Sequence, residues 1–419
     1  MADTAQFAAD GDIPDPWTLP LEKIDPSIAE LFLHNKHGEY FRRLRQEDPV
    51  HYCADSQFGP YWSITKFDDI VAVDANNKVF SSHRDIVIGD APDDFETPMF
   101  IAMDGDKHKR QRKTVSPAVA PRQLADVEAL IRQRVGTVLD SLPVGEAFNW
   151  VELVSKELTT QMLATLFDFP FEDRHLLPYW SDITTTSETT GVVGADMKER
   201  ERVLTECLHY FAGLWKERAA MPKRFDFISL LAHGEDTKDM INDPMEFLGN
   251  LMLLIVGGND TTRNSMSAGV VALNQFPEQF SRLKAEPSLI PNMVSEIIRY
   301  QTPLGHMRRN ALEDVEVGGK LIKKGDKVVM WYVSGNRDET VIDNPDEFLI
   351  DRDRARQHLS FGFGVHRCMG NRVAEMQLRI LWEEILTRFD HVELVGEPKR
   401  VLSNFVMGFE DVQVKLHPV

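Results

Sequence analysis

Phe361-Gly362-Phe363-Gly364-Val365-His366-Arg367-Cys368-Met369-Gly370 is a glycine-punctuated loop that leads into a helical pattern from Asn371 to Phe389. A cysteine at a helix start meets free amides and the positive end of the helix dipole, and His366 and Arg367 add positive charge beside it. The spacing therefore predicts a thiol poised to ionise, the form that serves as a metal ligand or a nucleophile. Gly362, Gly364 and Gly370 let the backbone curl around the sulfur, and Phe361 offers a flat face to a bound ring. The other cysteines, Cys53 and Cys207, read as small buried residues.

Upstream, Asn242-Asp243 supplies a helix N-cap, Pro244 suits the first helical position, and no proline follows until Pro277. About 33 residues can run as one helix about 50 Å long, enough to cross a domain. Its middle, Leu251 to Val256, is apolar on every face and predicts burial on every side. Gly257-Gly258-Asn259-Asp260-Thr261-Thr262 interrupts that pattern with two poor helix formers and an acid. The glycines admit a flat or bulky partner to the backbone, the Thr261 hydroxyl can donate to the carbonyl of Gly257, and Asp260 places an acid alongside. A glycine-rich helix crossing, with Asp260 paired to a nearby arginine, accounts for this segment equally well.

The chain has 419 residues, 47 basic and 66 acidic, and a net charge of −19 at pH 7, which argues against nucleic acid as a partner. With 42% hydrophobic and 9% aromatic residues it can bury a sizeable core. No flexible linker or repeat divides it, so an acidic N-terminal arm over residues 1–17 and a single domain over 18–419 are expected. Helical periodicity dominates residues 121–235, with loops near Pro143, Pro170 and Pro222. Strand-like alternation is confined to 51–53, 61–64 and 315–333. The expected fold class is mainly α with a small β portion. The longest apolar run, Leu248 to Gly258, falls short of the roughly 20 residues of a membrane span. Three scattered cysteines and an N-terminus unlike a secretion signal suit a soluble, cytoplasmic protein.

The pattern F-x-x-G-x-[HR]-x-C-x-G is similar to the haem-binding loop of the cytochrome P-450 family, with Phe361, Gly364, His366, Cys368 and Gly370 all matching. The resemblance covers nearly the whole chain. It implies the single-domain cytochrome P-450 fold with a long helix over the haem, haem b with Cys368 as proximal thiolate and metal ligand, and O2 as co-substrate. Glu296 and Arg299, with Arg352, resemble the family's buried Glu-Arg-Arg cluster, whose role is structural. His108, Arg112, Arg309 and His366 match the groups that pair with haem propionates, with Arg308 a competitor for the place of Arg309. Gly257 to Thr262 resembles the family's oxygen-binding segment, which implies Asp260 and Thr261 as the proton-delivery pair.

By the same resemblance, substrate contacts fall in 86–100, 253–258, 303–307 and 404–407, and within them on Leu253, Val256, Gly257, Leu304, Met307 and Phe405. Such a lining selects by shape and dryness and suits an aliphatic chain. The segments Leu254–Met266, Leu304–Arg309 and His358–Arg372 resemble the bacterial alkane terminal-hydroxylase and fatty-acid omega-hydroxylase branch. That implies terminal hydroxylation of medium-chain alkanes or fatty acids, with a steroid or isoprenoid side chain as the alternative substrate. Nothing here reads as a flavin or iron–sulfur domain, so electrons are expected from a ferredoxin and ferredoxin reductase supplied by NADH or NADPH. Lys107, Lys109, Arg110, Arg112, Lys113, Arg367 and Arg372 make a candidate basic dock. Intact Asp260 and Thr261 argue against a peroxide-driven enzyme, and the lack of a spare effector-sized segment argues against a non-catalytic haem sensor.

Overall fold

Helices carry most of the chain, and one of them organises the rest. The computed structural model describes residues 12–91, 97–185 and 197–419. The long helix runs from Pro244 to Gln275, 32 residues, with the Asp243 side chain accepting the Glu246 amide at 3.2 Å and Pro244 in its first turn. At 1.5 Å per residue it spans about 48 Å. It is buried on every side because helices Glu157–Phe167, Leu176–Thr185, Ile290–Gln301 and Asn371–Arg388 pack around it. Gly269 permits close crossings with two of these helices: a Cβ there would lie 2.9 Å from Ile297 Cδ1 and 3.1 Å from the Trp382 ring. The helix is continuous through Gly257 and Gly258.

The main sheet has the spatial order Val50–Cys53, Tyr61–Ile64, Lys327–Met330, Met307–Ala311, Phe80–Ser81. Its neighbours are antiparallel except Tyr61–Ile64 with Lys327–Met330, which are parallel with Trp62 opposite Val328. The alternation over 315–333 resolves into a small hairpin, Val315–Val317 and Lys320–Ile322, then the strand Lys327–Met330 and a helical turn, Tyr332–Gly335. Gly318 and Gly319, with φ of +54° and +76°, make the hairpin turn. The sequence reading lacked the strands Phe80–Ser81 and Met307–Ala311. It also lacked the sheet of Ala147–Asn149, Gln413–Pro418 and Phe389–Leu394. Phe80–Ser81 and Ala147–Asn149 are too short to show a period of two, and long-range pairing stabilises the longer ones more than local pattern does.

The largest apolar cluster surrounds the long helix and includes Trp150, Trp180 and Trp382; two smaller ones lie against the main sheet. Of the expected N-terminal arm, residues 1–11 lie outside the described residues, and 12–17 pack on the body. Tyr40 donates to the Pro14 carbonyl at 2.8 Å, Trp17 Nε1 donates to Glu39 at 3.3 Å, and Pro16 is buried. No helix among the described residues is long and apolar enough to cross a membrane.

Candidate active site

The loop 361–370 wraps beneath a cavity. Its curvature rests on Gly362 and Gly364, both at φ +64°, and a Cβ on Gly364 would lie 2.8 Å from the Asp74 carbonyl. The Cys368 amide donates to the Phe361 carbonyl at 2.7 Å, closing the loop on itself. Gly370 caps the helix Asn371–Arg388, so Cys368 precedes the helix start instead of occupying it. Its sulfur is exposed to the cavity while the surrounding protein encloses it. Burial pushes the thiol above its ordinary value, and the amides of Gly370 and Asn371, with Arg112 and Arg367, oppose that shift without overcoming it. The amides and cations that the sequence places around the thiol are present, and the enclosure of the sulfur works against them. A cation on the cavity side would tip the balance, since a coordinating thiol is deprotonated.

The cavity holds about 1370 Å³ of empty space, its mouth included. Leu253, Gly257, Leu304, Met307, Phe361 and Gly370 line it as expected, and so do Thr261, Phe100 and Ile101. Residues 92–96 of the expected contact segment lie outside the described residues. Val256 and Phe405 are not among the lining residues; the Phe405 ring packs edge-on against His306 at 5.3 Å. Gly364 does not line the cavity either, since its place is against Asp74. The Thr261 hydroxyl donates to the Gly257 carbonyl at 3.0 Å.

Asp260 lies outside the cavity lining, 1% exposed, in a network between the long helix and the helix Leu176–Thr185. Arg263 approaches it at 2.7 Å and also reaches Asp182 at 3.0 Å, while Asn259 and Ser181 donate at 3.2 and 3.4 Å. Burial raises its carboxyl to about 6 in spite of Arg263. The acid and the hydroxyl thus sit on adjacent residues with different surroundings, one in a protein network and the other at the cavity.

Arg112, Arg309 and His366 line the same cavity. His108 stands behind them, its ring 4.2 Å from that of His366. His108 Nε2 and both nitrogens of His366 are buried without a hydrogen-bond partner. Burial, with Arg309, His108 and Arg112 alongside, lowers His366 to about 3. Arg309 donates to Asp74 at 2.7 Å, whereas Arg308 turns away to Asp90 at 2.7 Å and to the carbonyls of Ile88 and Gly89, so it is Arg309 that reaches the cavity.

Glu296, Arg299 and Arg352 meet in the interior: Arg299 binds both carboxylate oxygens at 2.8 Å and Arg352 Nε approaches at 2.9 Å. The arginines also donate to the carbonyls of Asn336, Pro345, Asn344 and Glu347, tying the segment ahead of the cysteine loop to the helix Ile290–Gln301. The sequence reading missed Asp74, whose buried carboxylate accepts from Arg309, Tyr332 and the Phe363 amide. It also missed Met162, Leu166 and Phe227, which line the cavity from distant segments. No local pattern marks either set.

A thiol facing the cavity, two guanidinium groups and orphaned histidine nitrogens around an apolar slot suit a flat macrocycle whose metal takes the sulfur and whose carboxylates take the cations. The family model for cytochrome P450 matches residues 30–416. This chain belongs to the cytochrome P450 family. It is similar to linalool 8-monooxygenase of Pseudomonas putida, 35% identical over 95% of this chain and 100% of that protein. A methyl-branched lipid omega-hydroxylase of Mycobacterium tuberculosis is 30% identical over 89% of this chain and 90% of its own. The solved cytochrome P450-153 from Novosphingobium aromaticivorans superposes with a TM-score of 0.88 at 45% identity, covering 96% of this chain and 100% of that one. P450s are monooxygenases that bind haem through a cysteine thiolate, use O2 and take electrons from redox partners. Of the three cysteines in this P450, Cys368 faces the cavity, while Cys53 and Cys207 are buried elsewhere. The basic cluster beside the loop is partly neutralised: Lys107 pairs with Glu246, Lys109 with Asp106 and Arg110 with Asp236. Lys113, Arg367 and Arg372 are exposed.

Proposed function

We propose that this P450 hydroxylates the terminal carbon of medium-chain alkanes or fatty acids, with electrons from a ferredoxin. The lining of the cavity carries the reading. Arg112 and Arg309 are its charged groups among the described residues, and the remaining wall is largely hydrocarbon. An aliphatic chain gains from burial there, while a polar substrate would find few directional partners. The omega-hydroxylase relative supports attack at a chain end.

Haem, when bound, supplies the iron at which O2 is activated. Cys368 would be its protein ligand, and Arg112, Arg309, His366 and His108 would pair with its carboxylates. Those carboxylates would give the orphaned histidine nitrogens the partners they lack. Asp260, raised to about 6, can hold or release a proton near neutral pH. To serve the cavity it would leave Arg263 and turn, taking protons from the Arg263–Asp182 side, where Asp182 is partly exposed. Thr261 would orient water at the cavity wall by exchanging its bond to Gly257. Leu253, Gly257, Leu304 and Met307 would confine the chain end, which is how position is selected against weaker internal C–H bonds.

The deciding experiment is turnover of an n-alkane and a medium-chain fatty acid with a surrogate ferredoxin, its reductase and NADH, followed by identification of the product position. A primary alcohol or an ω-hydroxy acid is the expected product. The linalool 8-monooxygenase relative favours an isoprenoid as the second reading, so linalool belongs in the same assay. Turnover of linalool alone would replace the alkane reading. Cys368→Ala is expected to lose the thiolate-type absorbance of the reduced carbon monoxide complex, and Thr261→Ala to consume NADH without matching product. Retained absorbance or full coupling would remove the corresponding role.

A further inference from the structure

We propose that His306 is a specificity-determining positioning residue, which fixes the regiochemistry of oxidation by tying two flanking segments to the strand that lines the cavity. The inference rests on the aliphatic-hydroxylation reading for its substrate and on the hydrogen bonds below for its mechanism.

His306 is fully buried between Leu304 and Met307, both of which line the cavity. Its Nε2 lies 3.2 Å from the Ile88 amide and its Nδ1 lies 3.1 Å from the Asn404 carbonyl. An amide can only donate and a carbonyl can only accept, so the two partners dictate a neutral ring with its proton on Nδ1. Lysine or arginine could not accept from Ile88, and a hydroxyl would be too short to span both. The ring is wedged between Trp331 and Phe405, with centroids 4.8 and 5.3 Å away, which fixes its plane.

Neither segment it joins lines the cavity; each holds the lining residues Leu304 and Met307 from behind. On one side, Arg308 extends the tie by donating from its amide to Ile86 at 2.8 Å and from its guanidinium to Ile88 and Gly89. On the other side, Gly305 donates to Phe405 at 2.7 Å and Met407 donates to Pro303 at 3.0 Å. A Cβ on Gly305 would come within 2.9 Å of the Asn404 carbonyl, so the two backbones touch there. The backbone bonds zip the strand to each neighbour separately, and His306 bridges all three. Its contact with both neighbours holds Leu304 and Met307 at one position on the cavity wall. A chain end is oxidised at one carbon only while that position is held to a fraction of an ångström.

Two variants of the holoenzyme test this. His306→Asn keeps a donor near the Asn404 carbonyl and removes the acceptor for Ile88; His306→Phe fills the space and removes both bonds. Hydrogen exchange is expected to quicken about fivefold at residues 84–91 in both variants, the opening expected from one lost buried hydrogen bond. It should quicken at 403–407 in His306→Phe alone. The ratio of terminal to internal oxidation products is expected to fall in both, further in His306→Phe. Unchanged exchange, or faster exchange with an unaltered product ratio per haem, would overturn the proposal and leave His306 a packing residue. Should the wild type oxidise linalool and neither alkane nor fatty acid, the substrate reading fails, and the product distribution from linalool judges His306 in its place.

Discussion

Gly257 and Gly258 are neighbours under opposite constraints. A Cβ on Gly257 meets nothing within 4 Å and would project into space that lines the cavity, whereas one on Gly258 would lie 2.7 Å from Leu163 Cδ2. Gly257→Ala is accordingly expected to fold as the wild type and to narrow the cavity, read as weaker binding of branched relative to linear chains. Gly258→Ala forces helix Glu157–Phe167 to shift, and a loss of about 1–3 kcal/mol is expected in denaturant unfolding. Equal effects of the two substitutions would contradict this division of labour. Asp74 concentrates several partners on one group: its buried carboxylate satisfies Arg309, Tyr332 and the Phe363 amide, at 2.7, 2.7 and 2.8 Å. Asp74→Ala leaves a buried guanidinium unpaired at the cavity, at a cost of about 3 kcal/mol. The measurement is the thermal midpoint together with the fraction of haem retained through gel filtration, and both are expected to fall.

At the scale of elements, what decides the architecture is how three helices cross. Gly269, Ile297 and Trp382 meet where the long helix passes Ile290–Gln301 and Asn371–Arg388. The sequence drew attention to the glycine pair at 257 and 258, while Gly269, which lets both of these helices approach, lies further along among ordinary apolar neighbours. Gly269→Ala is expected to lower the unfolding free energy by about 1–3 kcal/mol through overpacking, with the cavity unchanged. Glu296 has a different consequence, because its carboxylate compensates two buried arginines. Glu296→Ala should cost about 3–5 kcal/mol and release the segment 336–352. Limited proteolysis is the direct check; an uncut segment would show that the carbonyl acceptors suffice. Helix identity was readable in each case from apolar period and caps, because these are local. The crossing points were not, because they depend on which surfaces meet.

For the whole molecule, buried histidines set the response to pH. Burial lowers His37 and His358 to about 3 and His306 to about 4, aided at His37 by Arg400 and Arg337 and at His358 by Arg299 and Arg367. As pH falls from the ordinary value of 6.5 towards 4, the unfolded chain takes up protons that the folded chain refuses. Stability is thus full above about 6.5 and declines on acidification, each unmatched proton contributing about 1.4 kcal/mol per pH unit. Asp260 acts the other way between about 6 and 3.8, and Asp25, Asp69 and Asp226, whose carboxyls burial also raises, act in the same sense as Asp260. The urea midpoint is expected to fall from pH 7 to pH 5; a flat or rising midpoint would show that these rings are not buried neutral. The sequence by itself determined the family, the mainly helical class, the long helix from its cap to its end, the cysteine loop and the Glu-Arg-Arg set. The helix and the cysteine loop are written in local spacing that the chemistry of a turn or a cap makes specific, whereas Arg352 joined Glu296 and Arg299 only through the family resemblance. Only the tertiary structure decided that Asp260 sits in an ion-pair network off the cavity while Thr261 lines it, and that Arg309 and not Arg308 faces the slot. It alone set Val256 and Phe405 off the cavity lining, put Met162 and Phe227 on it, and joined Ile88 to Asn404 through one histidine. Those are decisions about which distant segments share a space, and burial raises the Cys368 thiol for the same reason: the dielectric around a group belongs to everything packed near it.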